Sequence, residues 1–215
     1  MTRRYFPALL LVVLVGALVG LHAQRGNDRN RDEWQKIPEI FTSMGIGEGS
    51  VVADVGAGSG FFTTRLAHHV GLGGKVYAVD IDAGNVDRLK RLSGDAGLMQ
   101  VDVVHGTTTD PRLPEGASDA ALVVNAYHEF TAHQAMLGAI LRALKPGGRL
   151  VIVEPLDRSR RDSPRDRQER SHEIAPQFVR EDLESAGFEI VDLIDPFTKR
   201  PEGDEMWLIV ARKRA

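Results

Sequence analysis

A glycine-rich turn, and an acid twenty residues beyond it, carry the first chemical signal in this chain. Asp54-Val55-Gly56-Ala57-Gly58-Ser59-Gly60 ends a short apolar run and leads into a helical pattern starting at Phe61. Glycines in such a turn let the backbone come close to a ligand. The spacing is G-x-G-x-G, whereas dinucleotide sites want G-x-G-x-x-G. Phe61 also stands where a pyrophosphate would need close access to the helix start. The turn therefore suits a nucleoside without a diphosphate; the plain alternative is an ordinary tight strand-to-helix turn. Asp80 follows the next apolar run directly. A carboxylate there can accept hydrogen bonds from both hydroxyls of a ribose, or it can cap a helix. Turn and acid together point to an adenosine-bearing ligand.

The elements that must hold these residues follow from periodicity. Apolar runs at Val51 to Val55, Val76 to Val79, Val101 to Val104, Ala120 to Val124 and Leu150 to Val153 read as buried strands. Between them lie helical patterns over Phe61 to His69, Val86 to Leu92 and Thr131 to Leu144, the last with Thr131 and Gln134 spaced as a capping box. Pro176 and Gly187 bracket a final helix, and Ile190 to Ile194 and Trp207 to Val210 add two strands joined without a helix. Strands alternating with helices predict a single doubly wound α/β domain with a mostly parallel seven-stranded sheet. The join without a helix predicts an antiparallel last strand.

Counting narrows the function classes. The chain has 215 residues, enough for one such domain, and a formal net charge of -3 from 27 basic and 30 acidic residues. That balance argues against a protein that coats nucleic acid, which must neutralise phosphates. The absence of cysteine excludes disulfides, thiolate zinc sites, iron–sulfur clusters and a cysteine nucleophile. At the start, Arg3 and Arg4 precede an uncharged stretch from Phe6 to Leu21, with a small-residue cleavage pattern near Ala23. Residues 1–23 are thus expected to be a signal peptide or an N-terminal membrane anchor, with a weaker twin-arginine likeness. A polar linker over 24–31 then leads to the working domain, 32–215, which is expected to be exported or held at the membrane.

Four segments in order, VVADVGAGSGFFTTRLA (51–67), VYAVDID (76–82), SDAALVVNAYHEF (118–130) and LKPGGRLVIVEP (144–155), resemble the class I S-adenosylmethionine-dependent methyltransferases, over about Trp34 to Arg212. The resemblance implies a three-layer Rossmann-like sandwich, S-adenosylmethionine as cofactor and a small-molecule acceptor, with no nucleic-acid partner. It also assigns residues. Gly56, Ala57, Gly58 and Gly60 would cradle the methionine part, with Asp54 holding its amino group. Asp80 would take the ribose, Ile81 would pack on the adenine, and Gly106, Thr107 and Asn125 would complete the cofactor wall. The acid that many members place after the third strand is missing, since Gly106 is followed by Thr107-Thr108-Thr109 and only then Asp110.

Methyl transfer needs alignment and, for a protonated acceptor, a base. Asn125-Ala126-Tyr127-His128-Glu129-Phe130 occupies the position of the N-P-P-Y signature of amine- and base-methylating members, but without prolines. His128 is the candidate base, with Tyr127 or Glu129 orienting the acceptor; alternatively His128 bonds the cofactor or caps a helix. His172-Glu173 offers a second base, a metal ligand or a solvated loop. The acids and amide of magnesium-dependent members are not recognisable, so no metal is expected. Six arginines between Arg158 and Arg170 face only three acids in the same stretch, either as an anion site or as a mixed-charge surface loop. Trp34 would cover the cofactor or anchor the first helix. Two other functions stay open: a catalytically silent nucleoside-binding relative, and a NAD(P)-dependent oxidoreductase, which the glycine spacing disfavours.

Overall fold

The computed structural model describes residues 31–201 and 203–214. The expected signal or anchor and most of the linker lie outside the described residues. The chain divides into two units, 1–37 and 38–215. Trp34 falls in the first, where residues 31–34 are helical. Among the described residues no helix is long and apolar enough to cross a membrane.

In the second unit, β1 (Val51–Val55), β2 (Lys75–Asp80), β3 (Val101–His105), β4 (Ser118–Val124), β5 (Leu144–Leu156), β6 (Glu189–Lys199) and β7 (Glu205–Arg212) form one sheet in the order β3-β2-β1-β4-β5-β7-β6. The pairs β1–β2, β2–β3, β1–β4 and β4–β5 are parallel, and β7 runs antiparallel to both β5 and β6. This is the mostly parallel sheet with an antiparallel last strand that the helix-less join predicts. It has the fold of class I methyltransferases. The apolar strand centres explain the arrangement: Val52, Ala53, Leu122, Val123, Ile152 and Ile209 are all essentially without solvent contact, as a sheet covered on both faces requires.

The helices are α1 (Ile37–Met44), α2 (Phe61–Val70), α3 (Ala83–Asp95), α4 (His133–Ala143), the short α5 (Arg165–Arg170) and α6 (Pro176–Ser185). The apolar stripes of the longer helices close the core; on α4 the buried set includes Met136, Leu137 and Ile140, and on α6 Val179 and Leu183. Trp207 on β7 is fully buried and donates its indole N–H to the Ile174 carbonyl at 2.8 Å.

One local expectation is corrected and one alternative is decided. The Thr131–Gln134 capping box does not form, because α4 starts at His133 with no side-chain cap and Gln134 instead donates to the Asp182 carbonyl at 3.1 Å. The arginine-rich stretch is an ordered one-turn helix and α5. Its charges are matched by distant acids: Arg158 by Glu205, Arg160 by Glu173, Arg161 by Asp195 and Arg165 by Asp182. The local excess of arginine is therefore satisfied within the domain.

The chain leaves β1 toward β2 on one side, while β4 continues toward β5 on the other. Such a reversal of strand order opens a crevice beyond the carboxyl ends of the strands, where open α/β sheets bind ligands.

Candidate active site

A cavity of about 410 Å³ lies at that crevice, a size suited to a small-molecule ligand. Gly56 and Gly58 line it from the β1 turn, Asp80, Ile81 and Asp82 from the end of β2, Thr107 and Thr108 from the loop after β3, and Asn125, Ala126 and Glu129 from the loop after β4.

The turn is built by left-handed backbone. Gly56 has φ 79° and a Cβ there would sit 2.6 Å from the Ala126 Cβ. Gly58 has φ 54°, and the nearest atom to a Cβ is the Gly56 carbonyl oxygen at 4.0 Å, so its Cα faces open space in the cavity. Gly60 serves packing instead. A Cβ there would strike Leu92 Cδ2 at 2.4 Å, so its lack of a side chain lets α2 begin tight against α3.

Asp80 ties the turn to β2. Its Oδ2 accepts from the Gly58 N–H at 2.8 Å, and its Oδ1 accepts from the Asp82 N–H at 2.9 Å and from Asn85 Nδ2 at 3.3 Å. A carboxylate offers about four acceptor sites, so Oδ2 keeps one for a ligand hydroxyl. Ile81 is 54% exposed beside it, an unusual position for isoleucine unless an apolar surface covers it.

Other expected cofactor residues act from behind the wall. Asp54 is buried and does not line the cavity; Thr63 donates to its Oδ2 at 2.6 Å. Burial pushes its carboxyl up to about 6, against the lowering effect of the Thr63 hydrogen bonds. Ala57 packs with Ala78 and Leu89. Gly106 donates its N–H to the Asp80 carbonyl at 3.0 Å. Thr107 does line the cavity, and its hydroxyl accepts from the Asp110 N–H at 3.0 Å, so Asp110 braces this loop without reaching the cavity.

The segment after β4 is split by a single 3₁₀ turn, Tyr127–Glu129. Asn125 enters it with φ 53°, and its Oδ1 accepts from Arg200 at 2.5 Å. Tyr127 is corrected from the expected acceptor-orienting role: its ring is fully buried, and its hydroxyl donates to Asp182 Oδ2 at 2.8 Å. Burial first, and then the charge of Asp182, hold the phenol above its usual range. The turn points the next side chain elsewhere, toward a second cavity of about 230 Å³ lined by Asn125, His128, Glu129, His172, Glu173 and Arg200 among others. Asn125 and Glu129 line both cavities.

His128 is held by a residue that sequence reasoning missed. Glu154, fully buried on β5, takes His128 Nδ1 on Oε2 at 2.6 Å and the N–H groups of Ala126 and Tyr127 on Oε1 at 2.7 Å each. A carboxylate can only accept, so Nδ1 donates and the lone pair of the neutral ring sits on Nε2. Burial acts to lower the His128 pKa, but the hydrogen bond and charge of Glu154 outweigh it and the net direction is upward. The signal for Glu154 was present in Val151-Ile152-Val153-Glu154-Pro155, a lone acid in a buried strand, where an unpaired charge is strongly disfavoured.

Known proteins resemble this chain in sequence and in fold. Residues 53–152 match the family model described as "Methyltransferase domain". A demethylmenaquinone methyltransferase of Oceanobacillus iheyensis is 26% identical over 121 residues, 56% of this chain and 50% of that protein. A dimethylglycine N-methyltransferase of Parasynechococcus marenigrum is 35% identical over 111 residues, 51% of this chain and 39% of that protein. The chain thus spans about half the length, or less, of these curated relatives. Among solved structures, a SAM-dependent methyltransferase from Aquifex aeolicus superposes with a TM-score of 0.69 at 24% identity, covering 82% of this chain and 88% of that one.

Proposed function

We propose that the chain is an S-adenosylmethionine-dependent methyltransferase acting on a small-molecule acceptor. One observation carries the reading: the switch-point cavity is floored by a glycine turn whose Gly58 N–H is pinned to Asp80, with acceptor capacity left on that carboxylate. When bound, S-adenosylmethionine supplies an electrophilic methyl group on a sulfonium. Asp80 accepts from a ribose hydroxyl, and Ile81 and Val79 give the adenine an apolar seat. Gly56 and Gly58 leave room for the methionine portion. Asp54 lies behind that turn and holds the start of α2 through Thr63.

Asn125 and Glu129 stand between the two cavities, so an acceptor in the smaller one approaches the cofactor across them. Alignment across this wall supplies most of the acceleration that such a displacement needs. His128 presents Nε2 to the acceptor side, held in orientation by Glu154. Tyr127 is a positioning residue, anchoring the 3₁₀ turn through Asp182. The smaller cavity, about 230 Å³, favours a small acceptor over a polymer, and the paired arginines leave little basic surface for nucleic acid. A thermal-shift competition tests the reading, because only a ligand that binds the folded chain raises its melting temperature. S-adenosylmethionine and its demethylated product should both do so, and NAD should not; stabilisation by NAD alone would replace this reading with an oxidoreductase.

Residues 1–23 are proposed to direct the domain out of the cytoplasm, cleaved as a signal or kept as an anchor, on the strength of Arg3, Arg4 and the uncharged run that follows. A reporter fused after Ala215 should be active outside the inner membrane. Activity confined to the cytoplasm would overturn this.

A further inference from the structure

The smaller cavity contains more than one histidine needs. His128, Glu129 and His172 each offer a ligand atom, and these atoms all lie within 4.8 Å of one another. His128 Nε2 and Glu129 Oε1 are 3.7 Å apart, too far for a hydrogen bond. Two donors sharing one zinc-like ion at tetrahedral angles are separated by about 3.4 Å. The His172 ring stands edge-on to that of His128, with centroids 5.5 Å apart. Glu129 and His172 are exposed and free to close on an ion by a side-chain rotation, whereas His128 is fixed.

His128 makes the cluster more than a group of surface donors. Its side chain is 1% exposed, and Nε2 is buried without a hydrogen-bond partner. A buried polar atom left unpaired is unfavourable and calls for an explanation. Its other nitrogen is clamped by Glu154, whose remaining oxygen is fixed by two backbone N–H groups. Metal-binding histidines are commonly held in this way, by a carboxylate that sets the tautomer and makes the free nitrogen a better donor. The surrounding charge also suits a cation. Glu129, Glu173 and Asp204 line the cavity with Glu154 behind His128; Arg200 opposes them, while Glu173 is shared with Arg160.

We infer that His128 Nε2, a Glu129 carboxylate oxygen and a His172 ring nitrogen bind one divalent transition-metal ion of the zinc or cobalt type. Two imidazoles and a carboxylate favour such borderline cations over magnesium or calcium, which take oxygen donors. Three protein donors leave a coordination position open, as in catalytic and not structural zinc sites. That position faces the cavity adjoining the cofactor crevice, where an anionic oxygen or sulfur of a small ligand can occupy it. The site goes beyond the methyltransfer reading, since its donors are present whatever the larger cavity binds. A general-base role for His128 would require neither Glu129 nor His172.

The test uses the full chain without a histidine tag, stripped with chelator and titrated with Co²⁺ alone. One equivalent should bind with the visible absorption of a tetrahedral or five-coordinate ion. His172→Ala removes an exposed side chain and should weaken binding at least about tenfold, as should Glu129→Gln, while His68→Ala leaves it unchanged. Failure to saturate with one equivalent, or equal affinity in His172→Ala, would overturn the site. S-adenosylmethionine binding is measured on the same samples. Its retention in His172→Ala with loss of Co²⁺ is the expected pattern, and its absence throughout with Co²⁺ bound would refute the methyltransferase reading while leaving the metal site standing.

Discussion

Replacing Glu154 by glutamine should invert the hydrogen-bonding sense of His128 without unfolding the domain. In the native chain, three donors converge on one buried carboxylate at 2.6 to 2.7 Å. Glutamine keeps one oxygen, which can retain both backbone N–H groups, but it turns an NH₂ toward Nδ1. The ring must then accept at Nδ1 and carry its proton on Nε2. Each charge-assisted bond that becomes neutral loses about 1 kcal/mol. Three such losses give roughly 3 kcal/mol, offset in part because a buried charge is removed. The net, about 1–3 kcal/mol, corresponds to a melting-temperature drop of roughly 2–12 °C for a domain of this size. Glu154→Ala is different in kind. It strands three buried donors at about 1–3 kcal/mol each, a large part of the 5–15 kcal/mol that typically holds a domain together. Two assays follow: thermal denaturation, and long-range ¹H–¹⁵N correlation of the histidine rings in alkaline buffer, where the ring is neutral. Glu154→Gln should place the His128 proton on Nε2 and weaken Co²⁺ binding by about 10–100-fold. An unchanged tautomer together with unchanged Co²⁺ affinity would refute the argument.

The glycines of the turn should respond differently to a methyl group. Gly60→Ala combines a left-handed φ of 84° with a 2.4 Å clash on Leu92, and should destabilise by roughly 2–5 kcal/mol in denaturant melts. Gly58→Ala meets nothing closer than 4.0 Å; it should cost no more than about 1–2 kcal/mol of stability yet weaken cofactor binding by filling the cavity. Tyr127→Phe should lose about 1.5–3 kcal/mol with its bond to Asp182, read in denaturant melts. For Asp54, burial raises the folded pKa from 3.8 to about 6. The protonated form is therefore favoured, so this group's stabilising contribution is full below the unfolded pKa and is lost as pH rises through about 6. The rise from 3.8 to about 6 is worth roughly 3 kcal/mol. Asp54→Asn keeps an acceptor for Thr63 and should gain on the native chain in chemical melts as pH rises from about 4 to 7; a parallel pH dependence in both would contradict the burial argument.

The sheet was legible because its inner strands are apolar on both faces and separated by glycine-closed helices, the pattern of a covered parallel sheet. Asp80 and the glycine turn were legible for a related reason: both sit at strand ends, where an open α/β sheet has its crevice. The segment after β4 was harder. Three residues of 3₁₀ turn have no period, so nothing in Tyr127-His128-Glu129 tells which side chain enters the core and which enters a cavity. The pairing of His128 with Glu154 spans 26 positions and exists only once β4 and β5 are neighbours. Which of its two readings the arginine stretch takes was hidden for the same reason, since its partners Glu173, Asp182, Asp195 and Glu205 are all supplied by later elements. Gly60 shows a subtler limit: its spacing marked it as part of a ligand cradle, but its missing Cβ serves helix packing against Leu92.

Calorimetric titration of the full chain and of Asp80→Ala with S-adenosylmethionine, its demethylated product and NAD tests the central claim most directly. Saturable binding of the first two is predicted for the native chain, with none for NAD. Asp80→Ala, with its fold checked by circular dichroism, should lose roughly 10–100-fold in affinity, the equivalent of one or two hydrogen bonds to a charged group. Equal affinity in Asp80→Ala, or NAD binding without S-adenosylmethionine binding, would contradict the assignment of this crevice.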